Sequence, residues 1–365
     1  MSIDAAREIN VKCRAMFARL LDRSEYDLLL TMKSVSQIAE YLMKQTPYAY
    51  ALRRIDTNDV HRGQLEQVFK KSLFYDYERL IKFTSGGNKA VIRAMFESYE
   101  IDDIKQVISS ICSDNEHQLT SDDLQYSRTY GKARVESLLG ADTMEALVGN
   151  LSGTRYHSVL LPFAVRDNPD FLKVDHALNL LDYNAKVNVI NKSLGGAVRK
   201  TTLMTLGIRM DIENILFIYR MKKLYEYPAG ELIHYLIPGG HALSRKTLFD
   251  LAGCERIGDV AGIIAGTKYA ALFPAGGENE WEALHDEFFY GTHTRQMRSI
   301  GDSLAVALSY LFLKETDMKN IVMIIEGVRY TLPPDRIASY LIGYRTPPGS
   351  AGSAARMARS LRLTA

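Results

Sequence analysis

The sequence predicts an all-α protein made of three similar helical modules, and three observations carry that expectation. Apolar residues recur at three- and four-residue spacing, no convincing run alternates strictly with β-branched residues, and a set of short markers returns three times in the same order. The first two put side chains on one face of a helix rather than on a pleated strand. The third is the mark of an internal repeat.

Taken along the chain, Leu65, Phe69, Leu73, Tyr77 and Leu80 form one helical stripe, and Ile92, Met95 and Tyr99 another. Met297, Ile300, Leu304, Leu308 and Leu311 read as one face of a single helix. Helices are expected to stop at Ser85-Gly86-Gly87, Pro238-Gly239-Gly240 and Pro274-Ala275-Gly276-Gly277, where glycine and proline cluster.

The repeat begins with Thr-x-Tyr, which occurs only three times: Thr46-Pro47-Tyr48, Thr154-Arg155-Tyr156 and Thr267-Lys268-Tyr269. Ahead of each stands an apolar pair one turn apart, Ile38 and Leu42, Leu147 and Leu151, Val260 and Ile264. Behind each comes an aromatic-rich helix carrying Tyr77, Tyr183 or Tyr290. Then follows an acidic signature in a long apolar helix: Glu100-Ile101-Asp102-Asp103-Ile104, Asp211-Ile212-Glu213-Asn214-Ile215 and Asp317-Met318-Lys319-Asn320-Ile321. The copies themselves cover about 12–114, 137–228 and 229–342. The expected modules are therefore 1–120, then 121–228 opening on a polar linker, then 229–342, with a flexible basic tail over 343–365 that carries Arg356, Arg359 and Arg362.

Bulk properties narrow the function. A chain of 365 residues is too long for one ordinary core, so two or three domains are expected. A net charge of +2 gives no basic stripe for nucleic acid. Cys13, Cys112 and Cys254 are far apart and include no C-x-x-C pair, which fits a reducing compartment and neither a zinc knuckle nor a disulfide scaffold. The N-terminus shows no signal-peptide core. The longest apolar stretch, Leu304 to Leu313, falls far short of the ~20 residues of a membrane helix. A soluble protein without a membrane span is expected, one that can still sit against something embedded.

Chemistry is hard to find. Gly86-Gly87-Asn88-Lys89 lacks the first glycine of a P-loop and the Ser/Thr after its lysine. Glu231-x-x-His234 and Glu282-x-x-His285 have the spacing that puts two metal ligands on one helix face. A di-metal site also needs a glutamate from each of two further helices, however, the first helix is short and ends at Pro238-Gly239-Gly240, and nothing pairs the two symmetrically. The cysteines read as small buried hydrophobes, and G-x-S-x-G is absent. No catalytic, cofactor-binding or metal residue is assigned, and no cofactor is expected. Glu100, Asp211 and Asp317 read as partly buried acids that lock helix to helix, with Arg220 and Arg329 as candidate partners. An ion-handling role is the alternative for them.

The residues resemble a known family. Arg14-Ala15-Met16 with Leu20-Leu21, Ile38-Ala39-Glu40-Tyr41-Leu42 leading to Thr46-Pro47-Tyr48, and Tyr99 through Lys105 are similar to the central-stalk subunit of V-type/A-type ATPases, called C in prokaryotes and d in eukaryotes. The most specific stretch is Asp211-Ile212-Glu213-Asn214-Ile215 running into Tyr219-Arg220-Met221-Lys222, then Leu236-Ile237-Pro238-Gly239. The resemblance covers about residues 8–342. Asp103 stands where the pattern suggests Asn, and Ser109 where it suggests a basic residue.

The resemblance implies three helical domains in a pseudo-threefold funnel. It implies a non-catalytic rotor subunit, a socket between the central shaft and the membrane proteolipid ring, peripheral on the cytoplasmic face, serving ATP-driven proton or sodium transport or ATP synthesis. The structural repeat markers are Thr46, Tyr48, Glu100, Thr154, Tyr156, Asp211, Asn214, Arg220, Thr267, Tyr269, Asp317 and Asn320. Two other readings stay open. A helical di-metal carboxylate enzyme would use Glu231, His234, Glu282 and His285, and a generic helical scaffold would show repeats of 30–45 residues.

Overall fold

The computed structural model describes residues 3–53, 62–112, 119–165, 170–225, 227–299 and 302–344. Every regular element among the described residues is helical. The chain opens with α1 (Ile3–Phe17), α2 (Arg23–Thr31), α3 (Val35–Gln45) and the single turn α4 (Ala49–Leu52). Three longer helices follow, α5 (Arg62–Phe83), α6 (Gly86–Phe96) and α7 (Ser98–Cys112). The short helices α8 (Gln125–Thr129), α9 (Val135–Leu139), α10 (Met144–Asn150) and α11 (His157–Leu160) lead to the long α12 (Phe171–Ser193) and α13 (Gly196–Leu224). After α14 (Ala229–Leu232), α15 (Arg245–Gly253) and α16 (Ile257–Ala265) come α17 (Trp281–Arg298), α18 (Ser303–Arg329) and α19 (Pro334–Ala338).

The chain divides into two compact units, Lys70–Leu194 and the remainder, Met1–Phe69 with Gly195–Ala365. In the smaller unit α6 and α7 pack against α12, and α8 against α7. Its core joins Ile101, Ile104 and Ile108 of α7 to Leu147, Leu151, Tyr156 and Leu178. In the larger unit α15, α16 and α17 pack on α13, and α1, α2, α3 and α17 all pack on α18. Burial of Ile208, Ile212, Ile215, Val260, Ile264 and Trp281 removes apolar surface from water around α13. The helix α18 is buried nearly all round over its first two-thirds, which makes it the most enclosed element of that unit.

Helix joints follow from local chemistry. Gly86 and Gly196 begin α6 and α13 with φ of +56° and +54°, left-handed values that a side chain resists. In the third copy Asp302 does this work differently, because its carboxylate accepts the Leu304 N–H at 2.7 Å and caps α18. This cap corrects the expectation of one helix through Met297 and Leu311. The chain ends α17 at Arg298 and restarts at Ser303, so Met297 and Leu304 are buried on two different helices. Ile300 lies outside the described residues, as do 113–118 of the expected linker and 345–365 of the expected tail.

Candidate functional site

Each Thr-x-Tyr is a helix stop that aims a ring inward. Thr46 Oγ1 donates to the Leu42 carbonyl at 2.6 Å, Thr154 to Leu151 at 2.7 Å and Thr267 to Ile264 at 2.7 Å. The same oxygens accept the tyrosine N–H two residues on, at 3.3, 3.2 and 3.1 Å for Tyr48, Tyr156 and Tyr269. Each hydroxyl thereby ties the last turn of the helix to the tyrosine amide, and the Leu151 and Ile264 carbonyls also accept the Thr154 and Thr267 N–H at 3.0 and 2.8 Å. The three rings are fully buried, Tyr156 in one core with Leu147 and Leu151, and Tyr269 in another with Val260 and Ile264.

The hydroxyls reach the repeated acids, and each acid receives the tyrosine of the next copy. Tyr156 donates to Glu100 Oε2 at 2.7 Å, Tyr269 to Asp211 Oδ2 at 2.7 Å and Tyr48 to Asp317 Oδ2 at 2.6 Å. The third acid is thus met by the first tyrosine. Burial, and next the adjoining carboxylate, push all three hydroxyls well above the ordinary tyrosine range, which keeps them protonated donors. Burial likewise pushes the Asp317 carboxyl up, against the pull of its tyrosine bonds and of Lys314.

Backbone amides complete each joint. Lys132 and Ala133 N–H donate to Glu100 Oε1, the latter at 3.1 Å. His241, Ala242 and Leu243 N–H donate to Asp211 Oδ2 at 2.9, 2.6 and 3.1 Å. Asp211 Oδ1 receives no bond from the described residues and lies against Gly240. A Cβ at Gly240 would sit 1.6 Å from that oxygen, and one at Gly131 would sit 3.0 Å from Glu100 Oε1. Only glycine lets the backbone come this close. For Asp317 the amide comes from Leu21, and a second hydroxyl, that of Tyr26, joins it.

Two joints also carry a cation on the tyrosine ring. Arg155 lies 5.1 Å from the Tyr156 centroid, and the buried Lys314 Nζ lies 3.7 Å from that of Tyr48. Such contacts gain strength when desolvated.

Three residues after each acid sits a second clamp. Asn214 donates to the Ile237 carbonyl at 2.8 Å and accepts the Ile237 N–H at 2.9 Å. Asn320 makes the same pair with Ile342, at 2.8 and 2.9 Å. Asp103 keeps the accepting half, from Ser127 N–H at 2.8 Å, and having no amide to donate it takes Lys70 Nζ at 3.1 Å. The departure from Asn is therefore matched by an ion pair.

Arg220 and Arg329 do not serve the acids. Arg220 pairs on an exposed face with Glu282 at 2.7 Å, and Arg329 with Glu326 at 3.4 Å. Hydroxyls and backbone amides fill the acids' acceptor positions instead, and at the third joint the buried Lys314 faces the Tyr48 ring. Gly131 escaped the sequence reading and Gly240 entered it only as a helix stop; the signal for both was a glycine at similar distances ahead of Tyr156 and Tyr269.

Other chemistry is differently placed. Glu282 is engaged by Arg220, and His285 Nδ1 lies 2.9 Å from Asp286. Among the described residues no group of three or more His, Cys, Asp or Glu is placed to hold a metal ion. Burial pushes the thiols of Cys112 and Cys254 up, away from the reactive thiolate. The arrangement that recurs is a buried carboxylate that fastens its helix to the Thr-x-Tyr of the next copy of the repeat.

Comparison with known proteins finds similarity along almost the whole chain. The chain is 24% identical over 345 residues to the C subunit of the A-type ATP synthase of Pyrococcus horikoshii, covering 92% of this chain and 89% of that protein. It is 22% identical to the corresponding protein of Archaeoglobus fulgidus, covering 92% and 95%, and 19% identical to that of Methanosarcina barkeri, covering 91% of each. Residues 9–340 match the model of one family, and so take in all three joints with their acids, tyrosines and asparagines. The chain belongs to the ATP synthase (C/AC39) subunit family.

Proposed function

We propose that this chain is a non-catalytic rotor subunit of a V-type/A-type ATPase. In this reading it is a socket that couples the central shaft to the membrane proteolipid ring, linking ATP hydrolysis to proton or sodium transport, or ion flow to ATP synthesis. The observation that carries the proposal is the family match along almost the whole chain. The three relatives named above are each the C subunit of an A-type ATP synthase by name.

The joints support it physically. A part that transmits torque needs stiff internal connections, and charge-assisted hydrogen bonds in a dry interior are short and about twice as strong as neutral ones. In the proposal the modules 1–120, 121–228 and 229–342 surround a pseudo-threefold axis, the shaft end enters between them, and the ring lies beneath. The protein is peripheral on the cytoplasmic face, and none of its described helices is long and apolar enough to cross a membrane.

Deletion of the gene, followed by two assays, tests the coupling role. ATP hydrolysis should survive in the detached soluble sector while ATP-driven ion uptake into vesicles is lost. Normal ion uptake without the protein would overturn the proposal.

A further inference from the structure

The third joint differs from the other two in how the chain closes it. Tyr156 and Tyr269 lie 56 and 58 residues from their acids, whereas Tyr48 and Tyr26 lie 269 and 291 residues from Asp317. Closure probability falls with the three-halves power of loop length, so a span of this size lowers it by about tenfold. The third joint is also fastened by different groups. It has two hydroxyls where the others have one, and a buried lysine over the ring.

A strap lies over this joint. Gly343, at φ +74°, passes so close to the Tyr290 ring that a Cβ would lie 2.2 Å from it, and its N–H donates to Glu287 at 2.6 Å. The next residue reaches across to α2. The Tyr344 hydroxyl donates to Asp27, the Tyr344 carbonyl accepts from Arg23 at 2.9 Å, and the ring stands edge-on to Tyr26. The strap is itself pinned to α18 by the Asn320–Ile342 clamp. On the far side α1 lies along α18, and Arg14 donates to the Ser299 carbonyl at the end of α17.

We propose that α1, α2 and α3 form an arm that seats on α18 as one unit and is latched there by the strap Leu341–Tyr344. The third joint then opens and closes without disturbing the Asp211 joint of the same compact unit. Its bonds all run between the two ends of the chain, and the strap packs on Tyr26, one of the residues that make them. Local opening of this kind is how cooperative parts of a fold show themselves.

Hydrogen exchange on the full-length protein, followed by mass spectrometry, tests the latch. Tyr344→Ala removes the bond to Asp27, the ring contact with Tyr26 and the ring that the Arg23 guanidinium lies over at 4.8 Å, and it keeps the carbonyl bond from Arg23. Exchange should rise by about tenfold or more, the factor expected for about 1.4 kcal/mol, together in α1, α2 and α3. The amides of α15 and α16, which belong to the Asp211 joint, should be unchanged. Should that variant fold poorly, Tyr344→Phe loses only the bond to Asp27 and should raise the same segments by a smaller factor. A rise confined to α2 would show that no arm exists as a unit. A rise shared equally by α15 and α16, or no rise at all, would also overturn the proposal.

Discussion

At the residue scale, the joints are held by donors whose removal strands a carboxylate. Tyr269→Phe takes one of four donors from Asp211 Oδ2 and should cost about 1–3 kcal/mol in urea unfolding. Tyr156→Ala empties a core site as well, and should cost about 2–4 kcal/mol; an unchanged melting temperature would contradict the burial of that ring. A pH effect is expected from His293. Its ring packs 4.3 Å from that of Phe312, Nδ1 bonds Ser309 at 2.9 Å, and burial, with Arg209 second, lowers its pKa to about 3. The folded value is below the unfolded value of about 6.5, so below that pH the unfolded chain takes up a proton that the folded chain refuses. Stability should therefore fall as pH drops from about 6.5 toward 3, by up to about 1.4 kcal/mol per unit from this residue. His293→Gln should flatten that part of the profile. An identical slope in the variant would assign the acid sensitivity elsewhere.

At the element scale, the close approach of the loop before α15 to α13 depends on one missing side chain. Gly240→Ala should destabilise by about 1–3 kcal/mol or more through overpacking against Asp211. Gly253→Ala, at the end of α15 with nothing nearby, should be neutral or stabilising by up to about 1 kcal/mol. Equal melting temperatures for the two variants would refute the steric argument. Helix content was legible in the sequence because 3.6-residue periodicity directly reports which face is buried. The Thr-x-Tyr motif and the acids stood out through their fixed order. What spacing could not convey was pairing: nothing in a copy tells whether its tyrosine serves its own acid or that of the copy before. The break at Asp302 was hidden for a related reason, since the apolar stripe keeps its phase across the joint while the chain turns back.

At the scale of the whole molecule, the expectation is negative on chemistry and positive on assembly. The isolated chain should bind no ATP in calorimetry, because Gly86-Gly87-Asn88-Lys89 forms the start of α6 and lacks the elements of a phosphate loop; micromolar affinity would overturn this. Family membership was legible from the order of weak motifs along the chain, none of them decisive alone. The joining of the chain's two ends was not legible, because Tyr344, Asp27 and Arg23 belong to no repeated pattern.

The exchange of asparagine for Asp103 has a consequence for ionic strength. Two of the three clamps are neutral amide pairs, indifferent to dissolved salt. The first is an ion pair whose carboxylate is fully buried and whose lysine is 22% exposed at the side chain, so dissolved ions approach it from the lysine alone and screen it weakly. Adding sodium chloride should therefore loosen α7 slightly while leaving the clamps of α13 and α18 as they were. Of the three clamps, the first alone would then register the salt of its surroundings.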